Sequence, residues 1–248
     1  MIGIITALPE ERSALVSKML EVRRSCLGAL DTYCGVLAGR EVCLVEGGMG
    51  AGAAATAARL LIAGMNPALL MSAGYCGAVR PGPEAGDLVL CRRLFSADAE
   101  MVQELPLPGS EQVAGRLAAE LQRHGLRSWQ GSFITTQVVV SKAELAGRLL
   151  PDLPHPVLEM ESSAVAAAAA EAGIPFVGLR AVSDDATEEL RFSLEEICDK
   201  NGQVAVSRVL WLLVRRPWLL GHFLRLAGGS AKAGASLGRG VEALMPIL

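Results

Sequence analysis

Short apolar runs alternate along the chain with segments of helical periodicity. MIGIITA, residues 1–7, is apolar and short enough for a buried strand. PEERSALVSKML predicts a helix, with Pro9 in the first turn, where a missing N–H costs nothing. TYCGVLAG and REVCLVEGG predict a hairpin or meander pair, and GAGAAATAARLLIAG a second helix ending on Gly64. ALLMSAGYCGA reads as a buried strand running into a Gly-containing turn, and GDLVLCRRLF as another strand. SEQVAGRLAAELQRHG predicts a third helix, closed by Gly125. GSFITTQVVVS is β-rich and KAELAGRLLP helical. The run Ala166 to Ala170 is easy helix, Gly173 and Pro175 stop it, and FVGL follows as a short buried strand. Strands alternate with helices, yet two to four strands stand in succession. That order predicts a single α/β domain with a mixed, twisted central sheet, partly barrel-like and flanked by helices.

Polar residues interrupt this pattern at a few places. Glu159 and Glu161 stand where the chain enters the alanine helix, and Ser183, Asp184 and Asp185 where it leaves the next strand. Strand ends in α/β proteins are where binding and chemistry collect. Glu161, between Met160 and an alanine-rich face, does not resemble a solvated charge. Ser183 and Asp184 end a buried strand, although Asp185 or Thr187 there also suits a helix cap. Glu10 and Glu11 fall in the first helical turn, where the helix dipole favours acids and a capping role suffices to explain them. GGMGAG, Gly47 to Gly52, opens a helix after a strand, so its N–H groups suit either an anion or simply a tight turn. It lacks the GK[ST] of a P-loop and the spacing of a dinucleotide fingerprint. Gly74 and Gly77 in SAGYCGA permit either a bend or close approach of backbone to a ligand.

Composition adds exclusions. Aromatic residues are 4% of 248, so Ala, Val and Leu must fill the core. The six cysteines are scattered without a CxxC pair, which favours reduced thiols and a cytoplasmic protein with no secretory leader. His124, His155 and His222 lie far apart, and no metal site is expected. The net charge is −3, but from Asn201 onward six Lys or Arg face only Glu242. A basic tail therefore follows an acidic body.

MIGIITALPEE, GGMGAGAAATAARLL, SAGYCGA followed by GDLVL, then LEMESSAVA and RAVSDDA occur in the order found in the nucleoside phosphorylase and nucleosidase superfamily. The resemblance covers roughly residues 1 to 190. It is strongest to methylthioadenosine/S-adenosylhomocysteine nucleosidases and to hopanoid-associated phosphorylase-like nucleosidases, the latter sharing the RRPWLL-type ending. It implies the nucleoside phosphorylase fold, with residues 1–200 as the nucleosidase-like part and 201–248 as a basic, apolar helical extension of the same domain. It also implies cleavage of a purine N-glycosidic bond without metal or organic cofactor. Asp184 then protonates or hydrogen-bonds the base at N7, with a carboxyl pKa raised by burial, and Ser183 orients it. Glu161 accepts the ribose hydroxyls, Met160 packs beneath the sugar, and Glu11 positions the attacking water. Gly74 brings backbone near that nucleophile, and Val138 and Val139 offer main-chain contacts to the base. Val138 stands where relatives carry a stacking aromatic, and SADAE, Ser96 to Glu100, departs from the usual sequence after GDLVL.

The substrate expected on this basis is a 5′-substituted adenosine, with adenosylhopane first. Methylthioadenosine or S-adenosylhomocysteine cleavage, a phosphate-dependent phosphorylase and a non-catalytic nucleoside-binding protein are the alternatives. The expected partners are the nucleoside, with phosphate as the rival nucleophile, and a second copy in a homodimer; nucleic acid is not among them. The tail VAVSRVLWLLVRRPWLLGHFLRLAGG interleaves Trp211, Trp218 and Phe223 with Arg208, Arg215, Arg216 and Arg225. Pro217 predicts two helices, which either pack on the body or a partner subunit, or lie peripherally on the inner membrane.

Overall fold

The computed structural model describes residues 1–98, 100–107, 110–138, 140–188, 215–216 and 220–248. Ten strands form one mixed sheet: β1 (Ile2–Thr6), β2 (Leu20–Leu27), β3 (Leu30–Leu37), β4 (Arg40–Glu46), β5 (Leu69–Ala78), β6 (Leu88–Ala97), β7 (Val102–Leu105), β8 (Ser128–Thr136), β9 (Pro156–Glu159) and β10 (Phe176–Asp184). The helices are α1 (Pro9–Val16), α2 (Ala51–Met65), α3 (Ser110–Arg123), α4 (Lys142–Arg148), α5 (Ser162–Glu171) and α6 (Leu220–Leu244), followed by a 3₁₀ turn at Met245–Ile247.

The order β10-β6-β8-β9-β5 closes on itself, because β10 also pairs with β5. Five strands thus make a small barrel, and β1, β4, β3 and β2 extend from β5 as a wing. β5 is the fork. On one edge it pairs with β1 in parallel along Leu69–Ser72, then with antiparallel β9 at Gly77 and Ala78. Between these pairings the edge of β5 is open, and its backbone groups are free to meet something other than a strand.

Alanines pack α2 on α5 against one face: Ala54, Ala57, Ala58, Ala168 and Ala169 join Leu61, Val165, Ile5 and Val45 in one buried cluster. On the other face α1, α3 and α6 cover the sheet through Leu15, Leu117, Leu121, Leu237, Val241 and Leu244. Small side chains let these layers approach closely, which accounts for a core with so few aromatics. α6, the described part of the extension, therefore packs on the body, with Ala233 and Leu237 wholly buried. Trp211, Trp218, Arg208 and Pro217 lie outside the described residues, as does the side chain of Phe223. No described helix is long and apolar enough to cross a membrane.

Several sequence expectations need correction. The first helix stops at Val16, and Leu20–Leu27 is an edge strand whose residues are almost all exposed. An edge strand solvated on both faces has no apolar alternation to betray it. Gly74 and Gly77 lie within β5 rather than in a turn. β8 ends at Thr136, short of the valines. The thiols are not all reduced: Cys34 and Cys43 form a disulfide. They lie directly opposite on β3 and β4, a register set by the short hairpin between them. Cys26, Cys76 and Cys91 are free.

Candidate active site

Two groups of charged side chains gather at the fork. The first surrounds Arg180, which is 1% exposed in the middle of β10. Its Nη2 lies 3.1 Å from Ser72 Oγ, 3.0 Å from Ser162 Oγ and 3.3 Å from Glu161 Oε2, and it pairs closely with Glu159 Oε2. A buried guanidinium is tolerated only with such partners. Glu159 in turn accepts the N–H groups of Glu161 at 3.0 Å and Ser162 at 2.8 Å, and so caps α5. Burial alone pushes the Glu159 carboxyl pKa upward, but Arg180, Thr135 and these N–H groups outweigh it and hold the pKa below the usual range.

Glu11 completes this group from α1. Its Oε2 accepts from Ala7 N at 2.8 Å and Leu8 N at 3.0 Å, so the capping role expected of a first-turn acid is present. Its Oε1 does something else: it accepts the Tyr75 N–H at 2.7 Å, on the edge of β5 left open between β1 and β9. Burial raises the Glu11 pKa, against the lowering by Arg180 and the three N–H groups. Gly74 is obligatory here, because a Cβ would stand 2.7 Å from Glu11 Oε1 and collide with Arg180.

Glu161 is the N-cap residue of α5, and its side chain leaves the helix to accept Gly50 N–H at 2.9 Å. The GGMGAG turn thus presents an N–H to a carboxylate of the protein. Desolvation by burial raises the Glu161 pKa to about 7, opposed by Arg180 and Gly50 and reinforced by Glu159 and Glu11. The unfolded chain releases this proton near the ordinary value of 4.5, while the folded protein keeps it to about 7. The folded state binds more protons in that window, so Glu161 lowers stability progressively as pH rises from about 4.5 to about 7. Urea unfolding of Glu161→Gln is expected to show a smaller decline than wild type across that window.

The second group lies further along β5 and β10. Ser183 and Asp184 are the last residues of β10, and Asp184 is in register with Gly77. From Gly74 to Gly77 is roughly 10 Å at about 3.3 Å per strand residue. The Ser183 hydroxyl lies 2.5 Å from Asp184 Oδ1 and 3.2 Å from the Cys76 carbonyl. Asp184 is not the buried, unpaired carboxyl that was expected. Its side chain is 20% exposed and its Oδ2 forms an ion pair with Lys142, the first residue of α4. Gly77 makes room for the pair, since a Cβ would stand 2.7 Å from Asp184 Oδ2 and 2.8 Å from Lys142 Cε.

Of the residues named from the sequence, Glu11, Gly74 and Glu161 meet at one end, and Ser183 and Asp184 stand at the other. Met160 is half-buried beside Glu161. Val138 is 65% exposed in the segment between β8 and α4, and Val139 lies outside the described residues. Arg180, Glu159 as its partner and Lys142 were not assigned. An arginine inside the apolar run FVGLRAV was a usable signal, because a buried charge demands partners.

Among the described residues no cluster suits a metal ion. The profile of the phosphorylase superfamily matches residues 1–215. The chain belongs to that superfamily. Its curated relatives include the 5′-methylthioadenosine/S-adenosylhomocysteine nucleosidases of Psychromonas ingrahamii, 29% identical over 84% of this chain and 97% of the relative, and of Staphylococcus aureus strain MRSA252, 27% identical over 86% and 99%. Among solved phosphorylase-superfamily folds, the methylthioadenosine/S-adenosylhomocysteine nucleosidase of Neisseria meningitidis with methylthio-immucillin-A superposes with a TM-score of 0.73. It is 22% identical, with 100% of this chain and 99% of that one covered. The futalosine hydrolase of Helicobacter pylori reaches 0.71 at 15% identity, covering 100% and 97%. These likenesses bear out the α/β, partly barrel-like architecture.

Proposed function

We propose that this protein is a purine nucleosidase of the methylthioadenosine/S-adenosylhomocysteine type, hydrolysing the N-glycosidic bond to release adenine. The observation that carries it is a carboxylate-rich group beside Gly74 and an Asp184 end beside Gly77 on the same strand. Glu11, Glu159 and Glu161 outnumber Arg180, so the first end carries excess negative charge. Such a site favours the positive charge that develops on the ribosyl ring as the bond to the base breaks.

The acceptor count assigns the parts. A carboxylate has about four lone-pair sites. Glu161 uses one for Gly50 and one for Arg180, leaving two for the neighbouring ribose hydroxyls. Glu11 uses three for Ala7, Leu8 and Tyr75, leaving one directed at a water. Asp184, with Ser183 beside it, faces N7 of the base, and Met160 supports the sugar. Among the described residues the cations near Glu11 are committed: Arg180 to its carboxylates, Arg12 to Glu46 at 3.2 Å. Phosphate would meet uncompensated negative charge, which favours water as the nucleophile.

Ionised Glu161 is the form that accepts hydroxyls. The rate constant kcat/KM is therefore expected to rise with pH through about 7, a limb that Glu161→Gln removes.

The curated relatives favour methylthioadenosine or S-adenosylhomocysteine over adenosylhopane, the first expectation from the sequence. The superfamily fold does not choose the 5′ group, since a futalosine hydrolase shares it. A panel of methylthioadenosine, S-adenosylhomocysteine and adenosylhopane, read by released adenine, tests the assignment. Efficient cleavage of the first two supports it, and cleavage of adenosylhopane alone would overturn it.

A further inference from the structure

We propose that Lys142 is the proton source for the departing base, acting through Asp184. The inference rests on the reading of Asp184 as the group facing N7. Lys142 occupies an unfavourable place for a lysine. Its side chain is 7% exposed, and it stands in the first turn of α4, where the helix dipole disfavours a cation. Its ammonium pairs with Asp184 Oδ2 and donates to the carbonyl of Asp185 at 2.6 Å. Among the described residues, the other charged or titratable groups set against it include Asp185, at the mouth of β10, and Cys76 on β5, whose buried thiol is pushed far above its ordinary range.

The arrangement creates a chemical requirement. The purine leaves easily only if N7 receives a proton, and an Asp184 held as the carboxylate of an ion pair has none to give. The Ser183 hydroxyl on its other oxygen is too weak an acid. Among the described residues the Lys142 ammonium is the acidic group in contact with Asp184. As the C1′–N9 bond breaks, its electron pair passes into the purine. One proton passes from Lys142 to the Asp184 carboxylate and from it to N7, so Lys142 is left as a neutral amine and Asp184 as the carboxylate it was. The attacking water forms the new C1′–O bond and gives its proton to Glu11, which passes it to solvent. The amine recovers a proton from solvent, so water and nucleoside become free base and sugar with every proton accounted for.

The test uses the full-length protein and methylthioadenosine, with Lys142→Arg and Lys142→Met compared with wild type. A guanidinium keeps the ion pair but does not release its proton. Lys142→Arg is therefore expected to lower kcat by about 100-fold or more with little change in KM. Lys142→Met is expected to be as slow near neutrality and to recover toward acid pH. Restoration of wild-type kcat by arginine, or an unmoved pH profile in the methionine variant, would overturn the proposal and leave Lys142 a counter-ion. Thermal unfolding checks both folds. If neither variant folds, the wild-type profile decides: kcat should stay level well above about pH 4, where free carboxylic acids titrate. A decline setting in there would overturn the relay. A wild-type protein that releases no adenine from any adenosine would instead strike down the nucleosidase reading, and the relay with it.

Discussion

Replacing Asp184 by Asn is expected to leave the fold intact and to slow adenine release by roughly 100- to 10,000-fold, the usual contribution of a general acid. The amide oxygen can still accept from Lys142 while the amide NH2 donates to the Ser183 hydroxyl oxygen, so the contacts that hold the end of β10 survive. What is lost is proton transfer, because an amide cannot carry a proton from the ammonium to N7. KM is expected to change much less than kcat, since the sugar is held by Glu161 rather than by Asp184. Steady-state kinetics on methylthioadenosine, beside a thermal melt, measures both. Near-wild-type kcat in a folded Asp184→Asn protein would mean that the base is activated by another group.

Arg180→Met should have the largest effect on stability. It leaves Glu159, Glu161 and Glu11 in a buried space without their shared cation. Removing one partner of a buried ion pair typically costs on the order of 3–5 kcal/mol, a large share of the stability of an ordinary domain. The loss should shrink at low pH, where the orphaned carboxyls take up protons and no longer repel one another. Urea unfolding at two pH values reads this out. A variant as stable as wild type at neutral pH would show that Arg180 is dispensable to the fold and that the charge balance drawn around it is wrong.

These two residues also show what the sequence made legible. Glu161 and Asp184 stood out because acids beside apolar or alanine-rich segments violate the local pattern, whereas Glu11 looked like a helix cap until the order of motifs tied it to them. The mixed, partly closed sheet was legible from strands that alternate with helices yet also occur in succession. The fork in β5 was not, because it depends on β1 leaving β5 at Ser72 and β9 joining it only at Gly77, and β9 is only four residues long. Without the fork nothing indicates that Tyr75 presents its N–H to Glu11. Lys142 was hidden for a different reason. In SKAELAG it resembles any lysine at the start of a surface helix, and only the approach of β10 against Gly77 buries it. The Cys34–Cys43 pair was obscured by treating the cysteines as scattered, when the hairpin register sets those two face to face.

The measurement closest to the central claim is adenine release from methylthioadenosine in phosphate-free buffer, repeated with added phosphate and with the sugar product identified. The account predicts adenine and free methylthioribose at a rate that phosphate does not raise. Release that requires phosphate and yields a sugar 1-phosphate would contradict the role proposed for Glu11 in positioning water, and no release under either condition would contradict the nucleosidase assignment itself.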